Sequence, residues 1–406
     1  MTIVIVGGGA SGMAAALAAA SAGGSVVLLE RQARVGRKLL ATGNGRCNLT
    51  NLTADAAHYH GADGSFCRPA LAAFGPADAR DWFAGLGLLT VAEPSGRVYP
   101  YSDQANSVLD VLRFALEHRD VDVRTGCEVT RIWRKDGGFL LKTTLGDVAG
   151  ERLIVAAGGA AGGRLGGTEL GYRLLAPLGH RCTPLYPALV QLVTEGHLTR
   201  GLKGVRAHGR IAVCRGPEEL AVAVGELQFT ETGVSGPAAF DVSRAAAVGG
   251  RGLTLRLNLL PELDGPAVLA LLRRRRESLP ELPCGELWTG VLHNRLGRTL
   301  VKAAGLDAAA PLGDVPDGAL ARAAALAQEL ELAVAGTQGM DCAQVTAGGL
   351  ETADFDPATL ESRRVPGLYV CGEVLDVDGD CGGYNLHWAW ASGRLAGLAA
   401  AGEVAP

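Results

Sequence analysis

Three glycines near the start of the sequence have the spacing of a phosphate-binding turn. Gly7, Gly9 and Gly12 lie between an apolar run at residues 3–6 and an alanine-rich run at residues 13–22. In a turn between a strand and a helix, the first glycine makes the tight bend, the second lets a pyrophosphate approach the backbone, and the third allows close packing. The N–H groups at the start of the helix then face the phosphates. The spacing therefore predicts a dinucleotide-binding site.

An acidic residue stands where such a site needs one. Residues 26–29 form a second apolar run, and Glu30 follows it directly, eighteen positions after Gly12. A carboxylate at the end of this strand accepts hydrogen bonds from a ribose diol, which favours an adenosine with a free 2′-hydroxyl. A glycine turn followed by an exposed acid is the alternative interpretation, but strand, turn, helix, strand and acid all occur in order. The pattern alone is compatible with NAD or FAD.

Two further segments have the small residues that a bound dinucleotide requires. Residues 36–51, GRKLLATGNGRCNLTN, combine glycines with basic and small polar side chains, which suits a loop that follows a pyrophosphate and a flavin. A surface loop is the alternative. Residues 153–159 form an apolar run that closes on Ala157 and Gly158, as expected where a strand ends against a ligand. A buried strand without a ligand would have the same pattern.

The C-terminal region repeats the order of strand, glycine and acid. Residues 367–371 lead into Gly372 and Glu373, and residues 382–385, GGYN, precede an apolar run from about 386 to 401. We expect that run to be a helix whose N-terminus faces the pyrimidine edge of a flavin. The two ends of the chain would then share one cofactor site.

Three of these motifs together resemble the YhiN/BaiN-like family of NAD(P)/FAD-dependent oxidoreductases. They are residues 36–51, the sequence QVTAGG at 344–349, and GLYVCGEVLDVDGDCGGYNLHWAWASG at 367–393. The resemblance extends over essentially the whole chain and implies FAD as the cofactor; one branch of the family is linked to reduction of conjugated enones in bile acids. The sequence has Glu231 where a histidine is expected and His387 where a glutamine is usual. These departures bear on the substrate rather than on the cofactor.

The resemblance implies which residues contact FAD. The implied contacts are Gly9, Ser11, Gly12, Glu30, Lys38, Thr42, Gly43, Arg46, Cys47, Gly372, Glu373, Gly383, Tyr384 and Asn385. The predicted cofactor site also includes Gly7, Ala10, Arg31, Val129, Ala157, Gly158 and Leu386. The identity of a catalytic acid stays open, with His387 and Tyr384 as the candidates.

The middle of the chain has a different pattern. Strand-length runs at residues 188–193, 205–213, 225–230 and 253–257 favour an antiparallel sheet or small barrel. Helical runs follow at residues 267–277, 286–304 and 317–326, separated by prolines. We therefore predict an α/β fold in which a Rossmann-like FAD-binding domain is discontinuous in sequence and carries an inserted barrel-like domain with a small helical subdomain. The predicted bounds are 1–185 and 341–406 for the FAD-binding domain, 186–260 for the β-rich insertion and 261–340 for the helical insertion.

Composition limits the other functions that the sequence allows. The net charge of −4 gives no general field that attracts nucleic acid or anionic lipid, so we expect neither partner. The nine cysteines are widely spread without any C-x-x-C pair, which argues against a disulfide framework or a zinc site, and no metal is expected. The apolar run at residues 3–6 ends in a glycine turn rather than a cleavage site, so a cytoplasmic protein is expected.

These observations favour an FAD-dependent reductase or dehydrogenase that passes hydride through flavin N5 to a small apolar substrate, for example an enone. Only one complete G-x-G-x-x-G motif with its acid is present, so NAD(P)H has no domain of its own. As reductant it would visit the flavin transiently. Two alternatives stay open: a flavin-binding scaffold or sensor without turnover, and a flavin-dependent RNA-modifying enzyme. The sequence does not determine the oligomeric state.

Overall fold

The computed structural model describes residues 1–403, and positions 404–406 of the predicted C-terminal domain part lie outside the described residues. The chain forms two compact units. The first combines Met1–Tyr186 with the chain from Gln344 onwards, and the second is Pro187–Ala343. The sequence-based domain bounds, with their separate helical insertion at 261–340, stay a prediction.

The helices and strands of residues 1–403 are as follows, in chain order. The helices are α1 Ala10–Ser21, α2 Arg68–Ala73, α3 Pro76–Gly85, α4 Ala105–His118, α5 Leu170–Leu175, α6 Pro237–Gly249, α7 Gly265–Ser278, α8 Asn294–Ala303, α9 Asp317–Gln328 and α10 Tyr384–Ala401. The strands are β1 Thr2–Val6, β2 Ser25–Leu29, β3 Thr50–Asn51, β4 Tyr59–His60, β5 Thr90–Ala92, β6 Arg97–Pro100, β7 Asp122–Arg124, β8 Val129–Lys135, β9 Gly138–Thr143, β10 Gly146–Gly150, β11 Arg152–Val155, β12 Tyr186–Ala188, β13 Leu192–Thr194, β14 Arg206–Arg215, β15 Glu218–Phe229, β16 Gly233–Ser235, β17 Thr254–Asn258, β18 Leu330–Thr337, β19 Val345–Ala347, β20 Leu368–Val370 and β21 Asp378–Gly379.

A parallel sheet forms the centre of the first unit. Its strand order is β20-β11-β1-β2-β7, and all four neighbouring pairs are parallel. Ile3, Val4 and Ile5 of the central strand are fully buried, which explains why this strand is a continuous apolar run rather than an alternating one. The edge strand β20 comes from the C-terminal part of the chain and pairs with β11. The predicted Rossmann-like fold, discontinuous in sequence, is confirmed.

The first and last helices of this unit pack closely against each other. A side chain at Gly393 of α10 would overlap the carbonyl oxygen of Ser11, and one at Gly397 would overlap that of Ala15. Small residues on both helices therefore let the backbones approach, which accounts for the alanine-rich composition of α1. The packing fixes the chain segments next to α10 relative to the glycine turn before α1.

Three small antiparallel sheets accompany the parallel sheet in the first unit. Strand β21 pairs with β4, with Asp378 opposite His60 and Gly379 opposite Tyr59. Strand β6 lies between β3 and β5 in a second small sheet. Strands β8, β9 and β10 form a third antiparallel sheet. The segment from residue 48 to residue 62 is thereby held against the loop before α10.

The second unit contains a closed antiparallel barrel. Its strand order is β13-β16-β15-β14-β17-β18, which confirms the barrel-like insertion in the predicted fold class. Helix α8 begins at Asn294, where the sequence predicted a helix from residue 286. The difference arises because Gly290 adopts a φ of +82°, in the left-handed region that ends helices. Within residues 1–403, no helix combines the length and apolarity needed to cross a membrane.

Candidate functional site

The glycine turn is built so that only one of its three glycines faces open space. Gly7 has a φ of +107°, and a side chain there would overlap Ala156 O. A side chain at Gly12 would overlap Gly7 O, whereas nothing lies within 4 Å of a side chain at Gly9. Gly9 is the N-cap of α1, and no side chain caps that helix. The space beside Gly9 and the N–H groups of Ala10 and the next residues therefore fit a pyrophosphate.

Glu30 lies at the same turn. Its Oε2 accepts a hydrogen bond of 2.8 Å from the Gly8 N–H, and its Oε1 accepts one of 2.7 Å from the Gln32 N–H. These bonds fix the carboxylate beside the turn, and its contact with a ribose stays a prediction. The Arg31 guanidinium donates to Gly166 O at 2.7 Å. Val129 is buried at the start of β8, two residues after Cys127, whose N–H donates to Glu30 O at 2.9 Å.

Three segments that are distant in sequence meet at Glu373. Lys38 Nζ donates to Glu373 Oε2 at 2.7 Å and to Oε1 at 3.0 Å. Thr346 donates to Glu373 Oε1 from its N–H at 3.0 Å and from its hydroxyl at 3.1 Å. The Thr346 hydroxyl also accepts from the Ala161 N–H at 2.9 Å. The structure thus brings together the predicted residues Lys38 and Glu373, together with Thr346.

Thr346 was missed as a site residue by the sequence reasoning. The motif QVTAGG at 344–349 contains it and contributed to the family resemblance, so the sequence held a signal for this position. The predicted residues Ala157 and Gly158 follow β11 and lie on the chain that leads to Ala161. Nothing lies within 4 Å of a side chain at Gly158. The end of β11 therefore has room beside it, as Gly9 does.

The loop after Lys38 has an irregular backbone. Gly43 and Asn44 adopt φ values of +56° and +57°, in the left-handed region, and the Thr42 hydroxyl donates to Leu39 O at 2.7 Å. The Arg46 guanidinium lies 3.9 Å from the centre of the Tyr99 ring. The predicted residues Thr42, Gly43 and Arg46 are therefore on one folded loop rather than on a regular helix.

Cys47 is a packed residue rather than a reactive thiol. Its side chain is fully buried, and burial raises the pKa of its thiol to about 12. Because the thiolate is the nucleophilic form, this thiol is unreactive at neutral pH. Its position agrees with the sequence-based interpretation of a small packed side chain beside the loop.

The C-terminal loop approaches the glycine turn through glycines. Gly372 has a φ of +79°, and a side chain there would overlap the Ser11 hydroxyl. Gly383 has a φ of +105° and precedes Tyr384, the first residue of α10; a side chain at Gly383 would lie 2.5 Å from Thr50 O. Asn48 Oδ1 would be 2.8 Å away from it. That oxygen is buried and has no hydrogen-bond partner in the described part of the chain, so it can accept a hydrogen bond from a bound ligand.

Asn385 stabilises the same loop. Its Oδ1 accepts from the Gly379 N–H at 2.8 Å, and its Nδ2 donates to Gly379 O at 2.7 Å. The structure therefore gives the Asn385 side chain a positioning role and leaves only its backbone for the predicted cofactor contact. Leu386 follows it in the first turn of α10 and is half-buried. These two residues lie where the sequence placed them, at the N-terminus of the last helix.

The two candidate catalytic acids differ in their environment. His387 is fully buried, with Nδ1 at 2.9 Å from the Thr50 hydroxyl, and burial lowers the pKa of its imidazole to about 4. It is thus neutral at physiological pH and is shielded from solvent, so the structure does not favour it as a proton donor. The Tyr384 hydroxyl lies 3.0 Å from the Thr53 hydroxyl, and Tyr59 OH donates to Tyr384 O at 3.0 Å. This tyrosine is held at the loop.

Comparisons with known proteins identify a matching family and related enzymes. The family described as HI0933-like protein Rossmann domain matches residues 1–399. A 3-dehydro-bile acid delta(4,6)-reductase of Clostridium scindens is 40% identical over 377 residues, which cover 92% of this chain and 92% of that relative. A ribosomal RNA dihydrouridine synthase of Escherichia coli is 32% identical over 374 residues, which cover 90% of this chain and 89% of that relative.

A solved structure has the same fold. The 3-ketosteroid delta1-dehydrogenase of Sterolibacterium denitrificans, in complex with 1,4-androstadiene-3,17-dione, gives a TM-score of 0.50 at 13% identity and covers 99% of both chains. At this identity the likeness bears on the fold alone.

The chain belongs to the HI0933-like family, which confirms the resemblance seen in the sequence. With the motifs of its first unit, this membership identifies the chain as an FAD-dependent oxidoreductase. Its substrate and its electron donor are matters for proposal.

Proposed function

We propose that the protein is an FAD-dependent reductase that takes electrons from NAD(P)H and saturates an activated C=C bond in a small, largely apolar molecule. The observation that carries this proposal is the open, uncapped turn at Gly9 in the same unit as the Lys38–Glu373 ion pair. The first fits a pyrophosphate, and the second joins the N-terminal and C-terminal segments that would hold one cofactor. The 40% identical relative that is named a bile acid reductase supports the choice of an enone as substrate.

Each part of the first unit would hold a different part of the cofactor. Gly9 and the first turn of α1 would bind the pyrophosphate, and Glu30 would bind the ribose of the adenosine. The loops that contain Gly43 and Gly383 would hold the flavin end. When bound, the flavin supplies two-electron transfer at N5, and the protein supplies orientation, electrostatics and a proton. The N-terminus of α10 offers a partial positive charge to an electron-rich ring edge.

A flavin-dependent RNA-modifying enzyme is the second candidate, because a 32% identical relative is named a ribosomal RNA dihydrouridine synthase. Dihydrouridine differs from uridine by saturation of a C=C bond conjugated to a carbonyl group. Both relatives' names therefore describe the same class of reaction on substrates of very different size. The net charge of −4 gives no general attraction for RNA and favours the small molecule.

An anaerobic spectroscopic experiment separates these candidates. The purified protein is titrated with NADH or NADPH until the flavin absorbance is bleached, and is then mixed with a steroid 4-en-3-one or 4,6-dien-3-one, or with unmodified ribosomal RNA. We expect rapid recovery of the flavin absorbance with the dienone and none with RNA. Recovery with RNA alone, weakened by added salt, would replace the first candidate with the second. Bleaching by neither nicotinamide, and no recovery with any acceptor, would favour a flavin-binding protein without turnover.

The Gly9→Val variant is the matched control in this assay. It is expected to keep its fold and to lose the cofactor, so any reduction of the dienone that persists in this variant does not come from the proposed site. The cytoplasmic location expected from the sequence stays a prediction.

A further inference from the structure

Two histidines bind the same carboxylate beside the N-terminus of α10. His58 Nδ1 lies 2.9 Å from Asp380 Oδ2, and His60 Nε2 lies 2.7 Å from Asp380 Oδ1. All three side chains are about one third exposed, at 33%, 39% and 29%. The cluster is therefore preformed and is in contact with solvent.

The backbone fixes this cluster. Strands β4 and β21 pair antiparallel, and the Asp380 N–H donates to His58 O at 3.1 Å. Asn385 holds the backbone of Gly379 on the other side of the same loop. His60 thus lies on β4, while His58 and Asp380 directly adjoin the two paired strands. This arrangement does not depend on the rotamer of a single long side chain.

The carboxylate is ionised, and this determines where the protons lie. Burial alone would raise the pKa of Asp380, but hydrogen bonds from His60 and His58 hold it below its usual value. An ionised carboxylate only accepts hydrogen bonds. His58 consequently carries a proton on Nδ1 and His60 carries one on Nε2. The second ring nitrogen of His58, Nε2, takes no part in this hydrogen bond.

His58 is also in contact with a predicted cofactor residue. Its ring stacks on the Tyr384 ring, with 4.3 Å between centroids and an interplanar angle of 22°. Tyr384 follows Gly383 directly at the start of α10. The His58 imidazole is therefore separated only by the Tyr384 ring from the loop that the family resemblance assigns to FAD.

Three buried titratable groups of the first unit are poor proton donors. His387 is buried and neutral, with a pKa lowered to about 4. Burial raises the pKa of Cys67 to about 11 and that of Tyr59 well above its usual value. His58, in contrast, is partly exposed and oriented by a carboxylate, which is the geometry that a general acid requires.

We propose that His58, oriented by Asp380, is the general acid that protonates the substrate carbon next to the carbonyl group when the C=C bond is reduced. This inference rests on the proposed function. A bound reduced flavin would supply the hydride, two electrons and a proton, that the β-carbon of the enone accepts, and the α-carbon takes a proton from His58 Nε2. Two C–H bonds form and the C=C π bond is lost. The substrate is reduced, the cofactor is oxidised, and solvent returns a proton to His58.

The charged and titratable groups around His58 come from three segments. Asp55 and Tyr59 lie on its own segment and Asp55 caps the turn that ends at His58. Asp378, Asp380 and Cys381 lie on the opposite strand and the loop after it, and Tyr384 lies on α10. The Asp380 and His60 variants are therefore measured beside the His58 variant.

The test compares His58→Gln with His60→Gln, Asp380→Asn and the control His118→Gln. His118 is exposed at the end of α4 and takes no part in this cluster. Flavin reduction by NAD(P)H and flavin reoxidation by a dienone are measured separately by rapid mixing. We expect His58→Gln to slow reoxidation about a hundredfold and Asp380→Asn about tenfold, because a positioned acid contributes roughly two to four powers of ten. Reduction should change less than twofold in every variant, and His118→Gln should match the unmodified protein in both steps.

Two further readouts separate a proton donor from a residue that only supports the loop. Reduction in deuterated water should place deuterium on one face of the α-carbon in the unmodified protein and on both faces in His58→Gln, since water then supplies the proton. Carbethoxylation of His58 in the FAD-loaded protein, read by peptide mass, should be slowed by a saturated steroid ketone, while that of His118 should not change.

The results distinguish the role of His58 from the proposed reductase function. Slow reoxidation with loss of facial selectivity and ligand protection of His58 supports the assignment. Reoxidation at the unmodified rate and with the same facial selectivity in His58→Gln overturns it and leaves the proposed function standing. Failure of the unmodified protein to be reoxidised by any enone overturns the proposed function and the role of His58 together.

Discussion

Replacing Gly9 with valine is expected to remove cofactor binding while the protein stays folded. The backbone at Gly9 has φ −79° and ψ −169°, which valine adopts readily, and nothing lies within 4 Å of the Cβ that the substitution adds. Valine is a poorer N-cap than glycine, so about 1 kcal/mol of stability is lost. For a unit of this size, that loss lowers Tm by roughly 2–4 °C.

The effect on FAD is much larger. The branched side chain of the Gly9→Val variant fills the space through which a pyrophosphate reaches the first N–H groups of α1. Loss of two charge-assisted hydrogen bonds at about 2 kcal/mol each amounts to about 4 kcal/mol. Because 1.4 kcal/mol corresponds to a factor of ten, Kd should rise roughly a thousandfold.

The assay is a fluorescence titration of the apoprotein with FAD, with Tm measured by circular dichroism on the same sample. Gly85→Val is the matched control, because Gly85 also has nothing within 4 Å of a new side chain and lies at the end of α3, remote in sequence from the turn. The control should bind FAD like the unmodified protein. A Kd within about threefold of the unmodified value for Gly9→Val would refute the assignment of the phosphate turn, since the estimated change is about a thousandfold.

Three other substitutions test separate parts of the account. Gly12→Ala should abolish folding of the first unit, seen as loss of a cooperative thermal transition, because the added carbon would overlap Gly7 O; a soluble variant with unchanged Tm would be inconsistent with the packing of α1. Glu373→Gln should weaken FAD binding about tenfold through loss of its bonds to Lys38 and Thr346. Glu117→Gln, at an exposed position, is the control, and equal FAD affinities of the two variants would show that Glu373 does not support the cofactor site. His387→Gln should reduce the slope with which the free energy of unfolding falls at acid pH, measured by denaturant unfolding of the apoprotein. The reason is that burial holds the pKa of His387 in the folded protein at about 4, below the ordinary histidine value of 6.5. The native protein therefore loses stability as pH falls through that window, by up to about 1.4 kcal/mol per unit; identical slopes in both proteins would contradict it.

The sequence predicted the features that depend on local chemistry. Gly7, Gly9, Gly12 and Glu30 follow from spacing alone, because a strand, a turn and a helix in succession fix their relative positions. The discontinuous fold could be predicted because the C-terminal segment repeats the order of strand, glycine and acid. In contrast, the helical periodicity of residues 286–304 did not reveal that the chain turns at Gly290 and that the helix begins only at Asn294.

Contacts between distant segments were beyond the sequence. The pairing of β4 with β21 places His58 beside Asp380, which is 322 positions away in the chain, and no local pattern indicates that pairing. Thr346 likewise joins Glu373 only through the return of the chain after the insertion. His387 looked like a candidate acid by residue type, and only its burial in the structure argues against that role.

The central claim is that both ends of the chain form one FAD site. It is tested most directly by mass analysis of the cofactor released from the purified protein, with its amount per chain determined from absorbance. The account predicts FAD at about one molecule per chain, because the turn at Gly9 and the carboxylate of Glu30 recognise the adenosine diphosphate half. Recovery of FMN alone, or of no flavin from protein that binds none on addition of FAD, would contradict it.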